Sequence, residues 1–201
     1  MARVEFFFDL TSPWTYLGFI NVHKVLARTG AEIIYRPILV GGVFNAVNQA
    51  VYATRENKDT PRMRHTAQVL HDWAAWTGVT LKFPTPFHPG KGVHAMRMAT
   101  ALADDQPQLI AFSRAAFESY FVRGENIDDP EQLVAVADSA GLDGAALRAA
   151  AQTDPIKLRL RTNTDELIAR GGFGSPTVFV DRDRMFFGND ELPLVEFALA
   201  R

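Results

Sequence analysis

Residues 4–18 read V-E-F-F-F-D-L-T-S-P-W-T-Y-L-G. The apolar, aromatic run 4–8 has the composition of a buried strand, and Asp9 bounds it. Ser12-Pro13 then opens a helix. A serine N-cap accepts a bond from a free backbone N–H, and proline at the first helical position has no N–H to satisfy. Trp14, Leu17, Ile20, Val25 and Leu26 follow at roughly helical spacing over 14–28, and Gly30 ends the helix. Residues 31–40, A-E-I-I-Y-R-P-I-L-V, read as a second strand, in which Pro37 requires an edge or a bulge. Strand, helix and strand with short links make a βαβ unit, so the two strands run parallel.

Beyond Gly41 the character changes. Residues 42–54 mix loop and helix, and 61–78 form a strong helix with Leu70, Trp73 and Ala74 on one side. A proline-broken connector, F-P-T-P-F-H-P over 83–89, separates these from predicted helices at 95–104, 106–121, 130–140 and 143–151. Asp129-Pro130 and Asp143-Gly144 are helix starts, and a further helix over 155–170 ends on Gly171-Gly172. Strand character returns at 177–181 and 184–187, joined by a turn as a hairpin, and 192–199 closes the chain as a helix. The order is βαβ, a helical block, then αββα. It specifies an α/β, thioredoxin-like fold (βαβ…ββα) with a large all-helical insertion domain. The expected boundaries are 1–42 plus 156–201 for the thioredoxin-like domain and 43–155 for the insertion.

The 201 residues are 47% hydrophobic, enough for a core, and carry a formal net charge of −2 with both signs interspersed. That balance argues against nucleic acid as a partner, which calls for a basic stripe. No apolar run approaches the length of a membrane span. The start, M-A-R-V-E, lacks the layout of a signal peptide, so the expected location is cytoplasmic. There is no cysteine, which excludes disulfides, a cysteine nucleophile and cysteine-ligated metal. Any thiol chemistry must arrive with a ligand. His23, His65, His71, His88 and His94 have no zinc-ligand spacing, and no metal is expected. No G-x-S-x-G elbow surrounds Ser12, and Gly171–Gly174 precede a strand, so they form no phosphate loop.

Three segments converge if this topology holds, because ligands in open α/β sheets sit beyond the carboxyl ends of parallel strands. At the first, Ser12 stands at a helix N-terminus, whose partial positive charge and hydroxyl donor would stabilise an incoming thiolate. Simple helix capping is the alternative reading. The second is G-F-G-S-P-T over 172–177, where Ser175-Pro176 is a candidate cis peptide presenting the Ser175 backbone to an extended ligand. A trans proline starting an edge strand is the alternative. At the third, Asn189 or Asp190 reads as the N-cap of the last helix, and a carboxylate there could also hold the charged end of a peptide. Trp73 and Trp76 read as insertion core. Arg62 and Arg64 read as a solvated helix face within reach of an anionic ligand.

The pieces F-F-F-D-L-T-S-P-W-T-Y-L-G, L-V-G-G-V-F-N-A-V-N-Q, D-W-A-A-W-T-G-V-T-L-K-F-P, R-L-R-T-N-T-D-E-L-I-A-R-G-G-F-G-S-P-T-V-F-V and F-F-G-N-D-E-L occur in order along nearly the whole chain. Together they resemble the 2-hydroxychromene-2-carboxylate isomerases and their relatives, the kappa-class glutathione transferases. These belong to the DsbA-like branch of the thioredoxin superfamily. The resemblance implies glutathione as the cofactor, with Ser12 contacting its sulfur in place of a redox cysteine. It implies that Ser175, before a cis Pro176, pairs through its backbone with the cysteinyl part. Asn189 and Asp190 would hold the γ-glutamyl end, Asp190 facing the ammonium, and Arg62 falls near a basic position for glutathione or an acidic substrate. Asn45 and Asn48-Gln49 stand where relatives often have lysine and glycine-asparagine, and Ser175 stands where an apolar residue is usual. Asn45, Asn48 and Phe87 are the expected substrate contacts.

The implied reaction is glutathione-dependent isomerisation of a 2-hydroxychromene-2-carboxylate to a trans-o-hydroxybenzylidenepyruvate, as in aromatic hydrocarbon catabolism. The expected partner is thus a small aromatic carboxylate, and a homodimer is expected from the resemblance. A kappa-like glutathione S-transferase and a non-catalytic glutathione-binding relative are the alternatives.

Overall fold

The computed structural model describes residues 3–56 and 59–201. Met1 and Ala2, at the head of the N-terminal run, lie outside the described residues. The first strand, β1 (Arg3–Phe8), leads into α1 (Pro13–Thr29) and the parallel strand β2 (Glu32–Pro37). There follow α2 (Val40–Val47), α3 (Ala50–Glu56), α4 (Pro61–Thr77), α5 (Val93–Ala101), α6 (Gln106–Glu118), a π-helical turn (Ser119–Arg123), α7 (Pro130–Ser139) and α8 (Gly144–Ala151). The chain closes with α9 (Asp154–Ala169), β3 (Thr177–Val180), β4 (Arg184–Phe187) and α10 (Leu192–Leu199). The sheet order is β2-β1-β3-β4, with β3 antiparallel to both β1 and β4. This is the thioredoxin-like order βαβ…ββα with helices between its two parts, the architecture the sequence predicts.

Alternation along β1 sorts its side chains between two layers. Val4, Phe6 and Phe8 join a cluster with Phe19 and Val22 of α1, Met96 of α5 and Phe112 and Phe117 of α6. The helical block therefore shares its largest apolar cluster with the sheet. On the opposite face Phe7 packs with Val43 of α2, Leu167 of α9 and Phe179 of β3. Glu5 also points to that face and is only 6% exposed. Arg36 and Arg170 each bring a guanidinium nitrogen 2.9 Å from its carboxylate, so the buried charge is paired.

Pro37 sits at the end of β2, an edge strand, which is where a residue without an N–H is tolerated. The free side of that edge is occupied by side chains. Gln106 accepts from the Tyr35 N–H at 2.8 Å, and Asn163 donates to the Pro37 carbonyl at 3.0 Å. The strand is shorter than the predicted 31–40 because Val40 already begins α2, its N–H donating to Asp9. The predicted helix 106–121 is α-helical only to Glu118 and then widens into the π-helical turn, closed by Gly124 at φ 76°.

Trp76 is a correction to the expected insertion core. It is 69% exposed, edge-on to Trp73, with the Lys24 ammonium 5.2 Å from its ring centre. The Leu70/Ala74 side of α4 is the one that packs on Leu17 of α1, while Trp76 meets α1 at the surface through Lys24.

Candidate functional site

Asp9 organises the end of β1. Its carboxylate accepts the Thr11 N–H at 2.8 Å and the Thr11 hydroxyl at 2.6 Å through Oδ1, and the Val40 N–H at 2.8 Å through Oδ2. One buried side chain thus closes the turn ahead of α1 and fastens the first turn of α2 beside it. Burial pushes the Asp9 carboxyl up from its ordinary value, opposed by the Thr11 hydroxyl and the two N–H donors. Its own N–H donates to the Ser175 hydroxyl at 2.9 Å, which brings the loop before β3 into the same junction.

Ser12 is the N-cap of α1. It has extended backbone geometry, and its Oγ accepts the Thr15 N–H at 3.2 Å, so the capping reading of the sequence holds. The same oxygen donates its proton to the Ser175 carbonyl at 3.3 Å. The hydroxyl therefore caps and also faces the second segment. Thr15, one turn into α1, places Oγ1 2.7 Å from the Ser175 Oγ. Ser12, Thr15, Ser175 and Asp9 form one connected polar cluster in which Ser12 alone is not fully buried.

The Ser175–Pro176 bond is cis. The proline ring lies against Gly18 of α1, where an added Cβ would stand 3.0 Å from Pro176 Cγ. Glycine at position 18 lets the helix and this loop approach closely. Ser175 is 7% exposed, and no hydrogen bond among the described residues uses its N–H or reaches its carbonyl other than the one from Ser12. This leaves a short stretch of backbone with a free donor and a loosely held acceptor beside a helix N-terminus, a pairing edge for an extended peptide.

The third segment departs from the sequence reading. Neither Asn189 nor Asp190 caps α10: Glu191 holds the N-cap position and its carboxylate accepts the Phe187 N–H at 2.8 Å. Asn189 turns inward instead, 1% exposed, and its Oδ1 accepts from Asn21 Nδ2 of α1 at 2.8 Å. The same Asn21 nitrogen donates to Thr77 Oγ1 at 2.9 Å. Asn189 Nδ2 and Asn21 Oδ1 are buried with no partner among the described residues. Asp190 is exposed.

The remaining expected contacts are scattered. Asn48 Nδ2 donates to the Phe173 carbonyl at 3.1 Å, which ties the end of α2 to the loop that carries Ser175. Asn45 turns toward α3, its Oδ1 accepting from the Tyr52 hydroxyl at 2.7 Å. Phe87 is 44% exposed in the connector, its carbonyl held by the Tyr120 hydroxyl at 3.2 Å. Arg62 is exposed in the first turn of α4 and makes no ion pair among the described residues. No hydrogen bond or ion pair among the described residues links Asn45, Phe87 or Arg62 to Ser12 or Ser175. Trp14, two residues after Ser12, packs with Trp73 and Phe83 against the cluster of Leu17, Leu70 and Ala74.

Asp9, Thr15, Asn21 and Thr77 are not among the site residues the sequence points to. Asp9-Leu10-Thr11 carried a signal, since Asp two residues before Thr is an Asx-turn pattern. Asn21 carried none, because a polar residue within a helix repeat reads as solvent-facing.

A serine-headed helix, a free backbone edge before a cis proline and a mixed four-stranded sheet define a thioredoxin-fold protein without a redox cysteine. A DSBA-like thioredoxin domain model matches residues 3–200, and the chain belongs to that family. It is 31% identical over 193 residues to 2-hydroxychromene-2-carboxylate isomerase from Sphingobium xenophagum, covering 96% of this chain and 95% of the relative. Glutathione S-transferase kappa 1 from Rattus norvegicus is 27% identical over 213 residues, with 98% and 90% covered. Among solved structures, a 2-hydroxychromene-2-carboxylate isomerase superposes with a TM-score of 0.85 at 26% identity, over 99% of this chain and 95% of that one. DsbA from Pseudomonas aeruginosa, at 15% identity and a TM-score of 0.62 over 100% of this chain and 83% of that one, shares the fold. No helix among the described residues is long and apolar enough to cross a membrane.

Proposed function

We propose that this chain is a glutathione-dependent isomerase that interconverts 2-hydroxychromene-2-carboxylate and trans-o-hydroxybenzylidenepyruvate. One observation carries the reading: in a chain without cysteine, the Ser12 hydroxyl stands at the head of α1 and faces the Ser175 backbone. The names of the relatives supply the substrate class.

The residues fit a peptide thiol. Ser175 offers an unpaired N–H and a weakly held carbonyl, the two groups that an extended cysteinyl unit requires. Asn189 holds an orphaned buried Nδ2, a donor suited to a carboxylate, beside the exposed Asp190, whose charge suits an ammonium. When bound, glutathione supplies a thiolate for reversible addition to a conjugated carbon. Ser12 serves as the hydrogen-bond donor to sulfur and not as the attacking atom, and the positive end of α1 favours the anion. In this reading Phe87, Asn45 and Asn48 are the substrate contacts and Arg62 meets the substrate's carboxylate, as the resemblance implies.

A second reading, a kappa-like transferase, is favoured by the rat relative. The two differ in the fate of glutathione. The test follows the ultraviolet absorbance of 2-hydroxychromene-2-carboxylate while counting glutathione by mass spectrometry. Glutathione recovered intact after many turnovers supports the isomerase. A conjugate accumulating one for one with glutathione lost supports the transferase. Glutathione bound without turnover of either kind would leave a non-catalytic relative.

A further inference from the structure

The bonds that Ser12 makes for itself hold it loosely. Its N–H reaches the Asp9 carbonyl at 3.4 Å, and its Oγ spans 3.2 Å to the Thr15 N–H and 3.3 Å to the Ser175 carbonyl. Each lies at the limit of the usual range or past it. The direction of the hydroxyl is therefore set by the turn just before it. In that turn the Asp9 N–H goes to the Ser175 hydroxyl at 2.9 Å and the Thr11 N–H to the Asp9 carboxylate at 2.8 Å. The Leu10 N–H between them takes a different kind of partner. It donates to the Sδ of Met96 in α5, 3.2 Å away.

That sulfur is the acceptor this N–H has. Leu10 and Met96 are both 0% exposed, so water reaches neither, and no other acceptor among the described residues bonds the Leu10 nitrogen. A thioether is a weak acceptor, but a sealed N–H with no acceptor at all is costly. Among the described methionines, Met96 is the one whose sulfur takes a hydrogen bond.

The start of α5 is braced for this task. Asp128 accepts the Lys91 N–H at 2.8 Å and the Gly92 N–H at 2.6 Å, ahead of the first turn. Gly92, at φ 63°, lies against Thr11, where an added Cβ would stand 2.6 Å from Thr11 Cγ2. The head of α5 thus abuts Thr11 while Met96, one turn further in, holds Leu10.

We infer that Met96 is a positioning residue for Ser12: its thioether sulfur, by accepting the Leu10 N–H, fixes the turn that aims the Ser12 hydroxyl. Apolar volume at position 96 does not suffice, because a side chain without sulfur leaves the N–H orphaned and the turn shifts to find it a partner. The inference rests on the reading of Ser12 as the donor to a bound thiol, and it makes a residue of the helical block part of that donor's support.

Two variants remove the sulfur. Met96→Leu keeps an apolar side chain, and protein made with norleucine in place of methionine keeps the shape as well, so a failure of the first to fold leaves the second. Each is made with Ser12 and with Ser12→Ala. Calorimetry gives glutathione affinity, thiolate absorbance gives the ionisation constant of the bound thiol, and NMR follows exchange of the Leu10 amide. Loss of the sulfur should speed Leu10 exchange by about tenfold or more. It should leave glutathione affinity within about twofold and weaken the bound thiol's acidity by roughly tenfold, the expected cost of a misplaced donor. With Ser12→Ala the same change should move that acidity by less than about twofold, since no hydroxyl is left to aim. Unchanged acidity, or an equal loss with and without the Ser12 hydroxyl, overturns the inference and leaves Met96 as core. Wild type that does not bind glutathione, or binds it with an acidity indifferent to Ser12→Ala, overturns the thiol reading instead. Leu10 exchange then still decides whether Met96 holds the turn, and exchange unchanged by loss of the sulfur overturns that too.

Discussion

Ser12 and Ser175, 163 residues apart in sequence, meet where the Ser12 hydroxyl donates to the Ser175 carbonyl across 3.3 Å. The separation exceeds the usual O–H···O range, so this proton is loosely held. Around it everything is tightly held. Asp9 fixes the turn, Thr15 and Asp9 fix the Ser175 hydroxyl, and Gly18 admits the proline ring. A rigid frame around one mobile proton suits a hydrogen-bond donor that must respond to charge appearing nearby.

The Thr15–Ser175 pair is predicted to act as a unit. Ser175→Ala leaves the Asp9 N–H and the Thr15 hydroxyl without their shared partner in a buried site, at a cost of about 1–3 kcal/mol. Thr15→Val should cost a similar amount. The double variant should cost less than the sum by at least about 0.5 kcal/mol, because each change removes the same contact. Urea unfolding of the four proteins measures this. Strict additivity would mean that the two hydroxyls do not interact.

Asp9 sets a second expectation. Burial raises its carboxyl pKa in the folded chain above the ordinary 3.8. The folded state therefore holds its proton to higher pH than the unfolded state. This group's contribution to stability is greatest below 3.8 and is lost as pH rises through the raised value. Asp9→Asn removes that slope but turns an N–H₂ toward the Val40 or Thr11 donors, so at neutral pH the variant should be less stable by about 1–3 kcal/mol. Chemical denaturation at several pH values checks both parts. A variant as stable as wild type at neutral pH would remove Asp9 from its organising role.

The chain's punctuation was legible because it is local. Ser12-Pro13, Asp129-Pro130 and Asp143-Gly144 each begin a helix as expected, since a cap and a fixed φ need no tertiary partner. The aromatic run 4–8 marked a buried strand, and of the edge or bulge that Pro37 called for the structure has the edge. Side chains whose role depends on distant partners were not legible. Asn189 has the sequence of a cap, yet Asn21, from a helix that is remote in sequence, draws it inward. Trp76 has the composition of core, but the phase of α4 turns it outward. Asp9 read only as a strand boundary, because Val40 and Ser175, its partners beyond the local turn, come from elsewhere in the chain.

His23 provides a pH signature on the far side of α1. Its ring contacts Phe19 edge-on, and Nε2 lies 3.1 Å from the Tyr35 hydroxyl. Burial, with a smaller push from Arg114, lowers its pKa from the ordinary 6.5. The unfolded chain therefore binds this proton first as pH falls. The contribution of neutral His23 is fully present above 6.5 and declines on acidification through that value. His23→Gln should flatten that part of the stability profile between about pH 7 and 5. An unchanged profile would assign the acid sensitivity to another group.

The central claim is that the Ser12 hydroxyl activates the sulfur of a bound thiol. Its most direct test is the glutathione-dependent turnover of 2-hydroxychromene-2-carboxylate by wild type and by Ser12→Ala, each checked for native circular dichroism. The cap costs the variant about 1 kcal/mol of stability, too little to unfold it. Turnover should need glutathione and should fall by roughly a hundredfold or more in Ser12→Ala, the usual effect of removing one donor from a developing anion. Turnover that persists at the wild-type rate in Ser12→Ala would contradict the claim and leave Ser12 as a helix cap alone.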